Sequence, residues 1–561
     1  MSDARRVKSR AGCLQCKRRK VKCDQSVPSC HQCLRQKLQC PGYQKPLKWI
    51  DTSGDTKAAF LPESKKRNSK ARRISESTSS SSSPSREVFV RAHIPSLPKK
   101  IDDESSTLIR HYFTRVCKIA GCFDSEISPF RTIPAAMMCH SRPVFLLLQA
   151  SSAAQLSRQH PKMRYKALSL QSEAFSAVRN EITSLRGSMI VSDELMLTCI
   201  IAGLTSTWYD VNDLGLSHVL GSQFLLSLWL ESKKHRLKYQ ETFILGAYVY
   251  WLAISAFVTG DPRSSFHFQE GLHETVRRLD MSFDILDDDD EPEASRRVFP
   301  HPLTGFSMQT FICVGKVGSL CRLAHAETSL TLMKTRYQQD QLAEKARLVE
   351  AELLNMSQSR LYNFRDPQDS QTTVDEILAV GEAYRCAGLL QLYMTFPQLL
   401  QQYDQYHVYN EGSSWEDQFL CELTHQEFSS ASTLTPLHHN WLRRLALHIL
   451  SILESIPPSS GTRVLQGLPA LIAATWFVDP MHDSRSFNHP FLPLKISSRL
   501  KEEGRQIVRQ GLQMHEQYVG LQQVSRVLQI LEEVWRRDDE GEGKCDWIVL
   551  VASKGLQTLY G

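Results

Sequence analysis

Six cysteines within the first forty residues repeat one spacing, Cys13-x2-Cys16-x6-Cys23 and then Cys30-x2-Cys33-x6-Cys40, with six residues between the copies. In each copy the C-x-x-C pair puts two thiolates on one tight turn, where both reach a single small cation, and the third cysteine returns after a short stretch. This is metal-binding chemistry. Zinc takes four ligands in a tetrahedron, so two zinc ions need eight coordination positions, while the segment supplies six thiolates and no well-placed histidine pair. Two of the cysteines must then bridge both metals. Such a cage carries net negative charge, and Lys17, Arg18, Arg19, Lys20 and Lys22, between the second and third cysteines, offset it locally.

Two other uses of six cysteines fit less well. A disulfide framework suits a secreted miniature domain, but the opening MSDARRVKSR is charged throughout and offers no apolar signal segment. Iron–sulfur ligation gives the doubled symmetry no role and leaves the flanking arginines and lysines unexplained.

The run Ala11-Gly12-Cys13-Leu14-Gln15-Cys16-Lys17-Arg18-Arg19-Lys20-Val21-Lys22-Cys23-Asp24, followed by Pro28-Ser29-Cys30-His31-Gln32-Cys33 and Cys40-Pro41-Gly42-Tyr43, resembles the fungal binuclear zinc cluster (Zn2Cys6) transcription factors. The resemblance implies two Zn2+ ions per chain held by Cys13, Cys16, Cys23, Cys30, Cys33 and Cys40, with Cys13 and Cys30 bridging. It also implies a short helix in the DNA major groove, with Arg19 and Lys20 approaching the bases of a CGG-like triplet. Arginine or lysine against guanine O6 and N7 is the commonest base-specific pairing, so the residue types suit a G-rich target. Arg10, Lys17, Arg18, Lys22, Arg35 and Lys37 are expected at phosphates, giving affinity without sequence information. His31 is expected at the surface, since the cysteines already fill the coordination count.

These residues need an element to position them. The expected helix runs from Cys16 to Lys22, about two turns and too short to persist alone in water, so the metals must supply its stability. The formal net charge of +7 hides two opposite parts. Residues 1–86 hold 21 lysines and arginines against 6 acidic residues, a surplus of +15, and the remainder holds 46 against 54, or −8. The basic end is a nucleic-acid end; the acidic remainder would repel phosphate and suits regulation or protein contact.

Residues 1–45 are therefore read as the DNA-binding module. Residues 46–99 are read as a disordered basic and serine-rich linker, because SESTSSSSSPSR and its surroundings cannot bury enough surface to fold. Lys65-Lys66-Arg67 and Lys70-Ala71-Arg72-Arg73 within it read as a nuclear import signal, and Arg72-Arg73-Ile74-Ser75 carries a weak kinase pattern. No heptad of apolar residues follows the cysteines, which favours a single-triplet site or a homodimer made through the large domain.

Residues 100–561 carry helical periodicity. Leu108, Ile109, Tyr112, Phe113 and Val116 form one stripe, and Leu445, Ile449, Ile452 and Leu453 another. Helices are expected over 375–396, stopped by Pro397, and over 440–456, stopped by Pro457-Pro458. The apolar run from Phe243 to Val258 sits at the lower edge of a membrane-spanning length, and its acidic and mixed flanks favour a buried helix. Nine further cysteines are scattered without metal spacing, as buried thiols in a reducing compartment would be.

Segments such as EAYRCAGLLQLYMTF and LALHILSILESIPPSSG with the following LPALIAATWF resemble the fungal-specific transcription factor regulatory domain. That implies an all-α regulatory region, coregulators or transcription machinery as partners, and sometimes a small-molecule effector. The acidic FDILDDDDEPE stretch is read as a solvated loop, with an activation segment as its alternative. No G-x-S-x-G, H-E-x-x-H, Walker A or dinucleotide fingerprint is present, and VGKVGSL has the wrong spacing for a phosphate loop, so its glycines are expected at close helix contacts. The expected protein is no enzyme. It is a nuclear DNA-binding regulator, with a repressor or a metabolite-sensing scaffold as the rival readings.

Overall fold

The computed structural model describes residues 13–24, 26, 29–36, 38, 40, 103–184, 190–233, 237–278, 297–330, 336–356, 363–400, 436–478, 498–542 and 545–559. The chain falls into two compact units, Met1–Val88 and Phe89–Gly561. The expected linker with its import signal, and the acidic stretch from 283 to 293, lie outside the described residues.

In the first unit, two five-residue helices, α1 (Leu14–Arg18) and α2 (His31–Arg35), follow Cys13 and Cys30. Helix α1 is shorter than the sequence reading, which carried it to Lys22. Val21 N–H closes back on Cys16 C=O at 3.1 Å, and Lys20 adopts φ +56°, the left-handed conformation that ends helices. Continuing the helix would carry the chain away from the cage, whereas the turn brings the Cys23 sulfur within 3.5 Å of the Cys13 amide.

The second unit is all-α. Its main helices are α3 (Glu104–His111), α4 (Arg142–Leu156), α5 (Lys162–Ser184), α6 (Asp193–Leu204), α7 (Leu216–Glu231), α8 (Tyr239–Ser255) and α9 (Pro262–Arg278). There follow α10 (Met308–Leu330), α11 (Arg336–Asn355), α12 (Val374–Thr395), α13 (Pro436–Ser455), α14 (Gly467–Ala474), α15 (Ser498–Val519), α16 (Gln522–Asp539) and α17 (Trp547–Lys554). The described β structure is a parallel pair of two-residue strands, β1 (Arg297–Val298) and β2 (Asn363–Phe364).

Helix α10 is the centre of the unit, packed against α8, α9, α11 and α12. Its glycines make that approach possible. A Cβ at Gly315 would meet Gln269 Nε2 at 2.7 Å and Ala253 Cα at 3.2 Å, and one at Gly318 would meet the Phe257 ring at 2.9 Å. The VGKVGSL motif is thus a helix-contact surface. Helix α8 is buried from Glu241 to Ser255, so the long apolar run belongs to the core, and no helix among the described residues is long and apolar enough to cross a membrane.

Local signals set the helix ends. Thr373 caps α12 by accepting from Glu376 N–H, while Glu376 accepts from Thr373 N–H, a reciprocal pair that satisfies two otherwise orphaned amides. The buried loop after β1 is organised by His301. Its Nε2 donates to Phe243 C=O at 3.0 Å, and its Nδ1 accepts from the amides of Leu303 and Thr304, both at 3.1 Å. The ring fits against α8 because position 246 is glycine, where a Cβ would lie 2.7 Å from the imidazole.

Candidate metal centre and nucleic-acid interface

Each copy of the cysteine repeat builds the same local device. Cys13 Sγ accepts from the Cys16 amide and Cys30 Sγ from the Cys33 amide, both at 3.4 Å, so each leading cysteine caps the N-terminus of its own helix. A helix N-terminus favours negative charge, which suits a thiolate at that place. Leu38 N–H bonds Cys33 C=O at 3.0 Å as Val21 N–H bonds Cys16 C=O, so both copies close in the same way.

The two devices converge. Cys13 Sγ lies 3.7 Å from both Cys30 and Cys33, Cys16 Sγ lies 3.6 Å from Cys30 and 3.9 Å from Cys33, and Cys40 Sγ lies 3.9 Å from Cys30. Zinc–sulfur bonds of about 2.3 Å in a tetrahedron set sulfur–sulfur edges of about 3.8 Å. The spacing therefore fits zinc, and it is far too long for S–S bonds of about 2.0 Å. The sulfurs of Cys13, Cys16, Cys23 and Cys30 lie within 4.8 Å of one another, and so do those of Cys13, Cys30, Cys33 and Cys40. Two ligand quartets share Cys13 and Cys30.

Electrostatics point the same way. Burial, reinforced by the neighbouring thiol of Cys13, pushes Cys16 up to about 12, and burial drives Cys30 higher still. Thiols crowded like this ionise at neutral pH only beside a concentrated positive charge, which a divalent metal supplies.

Asp24 is a structural residue that the sequence reading passed over. Its carboxylate accepts from Ser26 Oγ at 2.5 Å, His31 N–H at 2.9 Å and Gln32 N–H at 3.2 Å, tying the end of the first copy to the start of α2. Those bonds, Ser26 first, hold its pKa below the ordinary carboxylate range. It caps a helix seven residues ahead, so the usual cap-then-helix spacing does not reveal it.

Of the basic residues expected at DNA, Arg18, Arg19, Lys20 and Lys22 are all exposed on the α1 end and the turn that leaves it. Arg19 and Lys20 stand in the turn and not on a continuing helix. Lys17 lies on α1, and Arg10 and Lys37 are outside the described residues. His31 is exposed, with its amide committed to Asp24.

A small cysteine cage that presents a basic turn, in a chain that also carries an all-helical unit, defines the class of zinc-cluster DNA-binding proteins. The pattern of the fungal Zn(2)-Cys(6) binuclear cluster domain matches residues 11–50, and that of the fungal specific transcription factor domain matches residues 107–561. The chain belongs to the fungal specific transcription factor family: a DNA-binding transcription factor whose N-terminal domain binds two zinc ions and whose partners are DNA and coregulators. No curated protein and no solved structure matches it.

Proposed function

We propose that this protein reads a CGG-like triplet through the turn at Arg19 and Lys20 and activates a set of metabolic, biosynthetic-cluster or drug-tolerance genes from the nucleus. Cys13 and Cys30 bridge the two zinc ions, and Cys16, Cys23, Cys33 and Cys40 are terminal ligands. The observation that carries this reading is the pair of four-sulfur sets with two members in common, which together fix an exposed cationic turn. Arg19 and Lys20 supply guanine recognition, while Arg10, Lys17, Arg18 and Lys22 meet phosphates.

The helical unit controls the activity. A homodimer formed through that unit and a small-molecule effector are its expected means of control, and Lys65-Lys66-Arg67 with Lys70-Ala71-Arg72-Arg73 directs import. The test is fluorescence anisotropy of the full-length, zinc-loaded protein on CGG and scrambled duplexes across a salt series. A steep loss of affinity with salt and a preference for CGG of about a thousandfold or more supports the reading. Equal affinity for both duplexes rules it out.

A further inference from the structure

Inside the helical unit, three helices bring together a second set of metal-ligating side chains. His273 comes from α9, Cys313 from α10 and Glu352 from α11, and their donor atoms all lie within 4.8 Å of one another. His273 and Cys313 are buried, whereas the Glu352 side chain keeps 32% of its surface, so the cluster opens to solvent at one side. Cys313 Sγ lies 3.2 Å from Glu352 Oε2, and His273 Nδ1 lies 3.4 Å from Glu352 Oε1. Tetrahedral zinc with bonds of about 2.0–2.3 Å requires donor separations of about 3.3–3.8 Å, which these distances nearly meet.

A cation already sits among these donors. Lys316 Nζ lies 2.9 Å from His273 Nδ1, 2.9 Å from Glu352 Oε2 and 3.2 Å from Glu352 Oε1, with only 4% of the residue exposed. An ammonium only donates, so His273 Nδ1 accepts, and its lone pair faces the centre of the cluster. The Lys316 ammonium donates to both Glu352 oxygens, which favours the ionised carboxylate. One turn along α9, Gln269 extends the polar seam. Its Oε1 accepts from Ser319 Oγ at 3.2 Å, while its buried Nε2 has no partner among the described residues.

We propose that His273, Cys313 and Glu352 form a regulatory binding site for a divalent ion of zinc's type, separate from the cysteine cage, in which the ion displaces the Lys316 ammonium. A nitrogen, a sulfur and an oxygen donor together suit zinc better than magnesium or calcium, which take oxygen alone. On binding, the Cys313 thiol gives its proton to solvent. The two positive charges of the ion are then met by the thiolate and the Glu352 carboxylate, and the ammonium leaves with its own charge. Three protein ligands leave the fourth position for water, unlike a structural zinc site, which four protein ligands close. Bound metal would clamp α9 and α11 onto the central α10, coupling free zinc to the shape of the regulatory unit.

The experiment is bound zinc per chain, by atomic emission, for full-length protein equilibrated at rising free Zn2+, with Co2+ substitution to detect the thiolate charge-transfer band. Wild type should take up a third ion beyond the two of the cage, and Cys313→Ser and His273→Gln should stop at two. Lys316→Met, which removes the competing cation, should bind the third ion more tightly by roughly tenfold or more, an effect that mere misfolding cannot produce. Wild type saturating at two, or a third ion retained in both ligand variants, overturns the proposal.

Discussion

Lys20 is both a left-handed backbone position and the proposed guanine contact, and a single substitution pulls the two apart. Its φ of +56° places a non-glycine residue in the left-handed region, where a side chain costs about 1 kcal/mol or more. Lys20→Gly removes that strain. Part of the gain is offset by the greater freedom of glycine in the unfolded chain, about 0.5–1 kcal/mol, so the module should be as stable as wild type or up to about 1 kcal/mol more so. The same change deletes the proposed guanine contact, a loss of about 1–3 kcal/mol of discrimination, or roughly fivefold to over a hundredfold. Stability and specificity should therefore move in opposite directions. Zinc retention against a competing chelator measures the first, and anisotropy on CGG and scrambled duplexes measures the second. Lys20→Ala keeps the strain and loses the contact, so it should match the glycine variant on DNA and fall below it in zinc retention. Lys20→Gly retaining full CGG preference would refute the base contact; Lys20→Gly losing zinc more readily than Lys20→Ala would refute the backbone argument.

Cys13→Ala and Cys30→Ala should each unfold the head, because each removes a ligand from both metals; a variant that still binds two zinc ions by atomic emission contradicts the bridging assignment. Lys17→Ala should weaken binding to all duplexes alike and reduce the salt slope by about one, which parallel salt titrations on two sequences would test. Burial holds His301 at about 4 against an ordinary value near 6.5, so only the unfolded chain takes up its proton between those values. Its contribution is complete above about pH 6.5 and is lost as pH falls toward 4, by at most about 3 kcal/mol, and His301→Gln should flatten that part of the stability–pH curve. Two helical glycines should respond oppositely to alanine. Gly203→Ala drives a Cβ into the Trp251 ring and should destabilise by about 1–3 kcal/mol, whereas Gly221→Ala enters open space and should stabilise by up to about 1 kcal/mol, both read by thermal unfolding.

Helix positions were legible where the signal is local. The expected helix at 375–396 is observed at Val374–Thr395, because its Thr373 cap and Pro397 stop act on the chain beside them. The expected helix at 440–456 is observed at Pro436–Ser455, stopped before Pro457-Pro458 on the same principle. The first helix was drawn too long because the run from Lys17 to Lys22 contains no breaker; the need to return Cys23 to the cage is a three-dimensional constraint. Asp24 was missed for a related reason, since its acceptors serve amides beyond an intervening loop.

By itself the sequence determined the metal chemistry, since six thiols at fixed short spacings can meet around only a small number of ions, and it determined the helical class through periodicity. Tertiary structure alone decided that Lys20 leaves the helix in a strained turn. It alone decided that the glycines of α10 admit Phe257 and Gln269. It also gathered His273, Cys313, Lys316 and Glu352 from three helices into one cluster. Local pattern records what neighbouring residues do to one another, whereas packed helices join side chains forty residues apart, and no spacing in the sequence encodes that encounter.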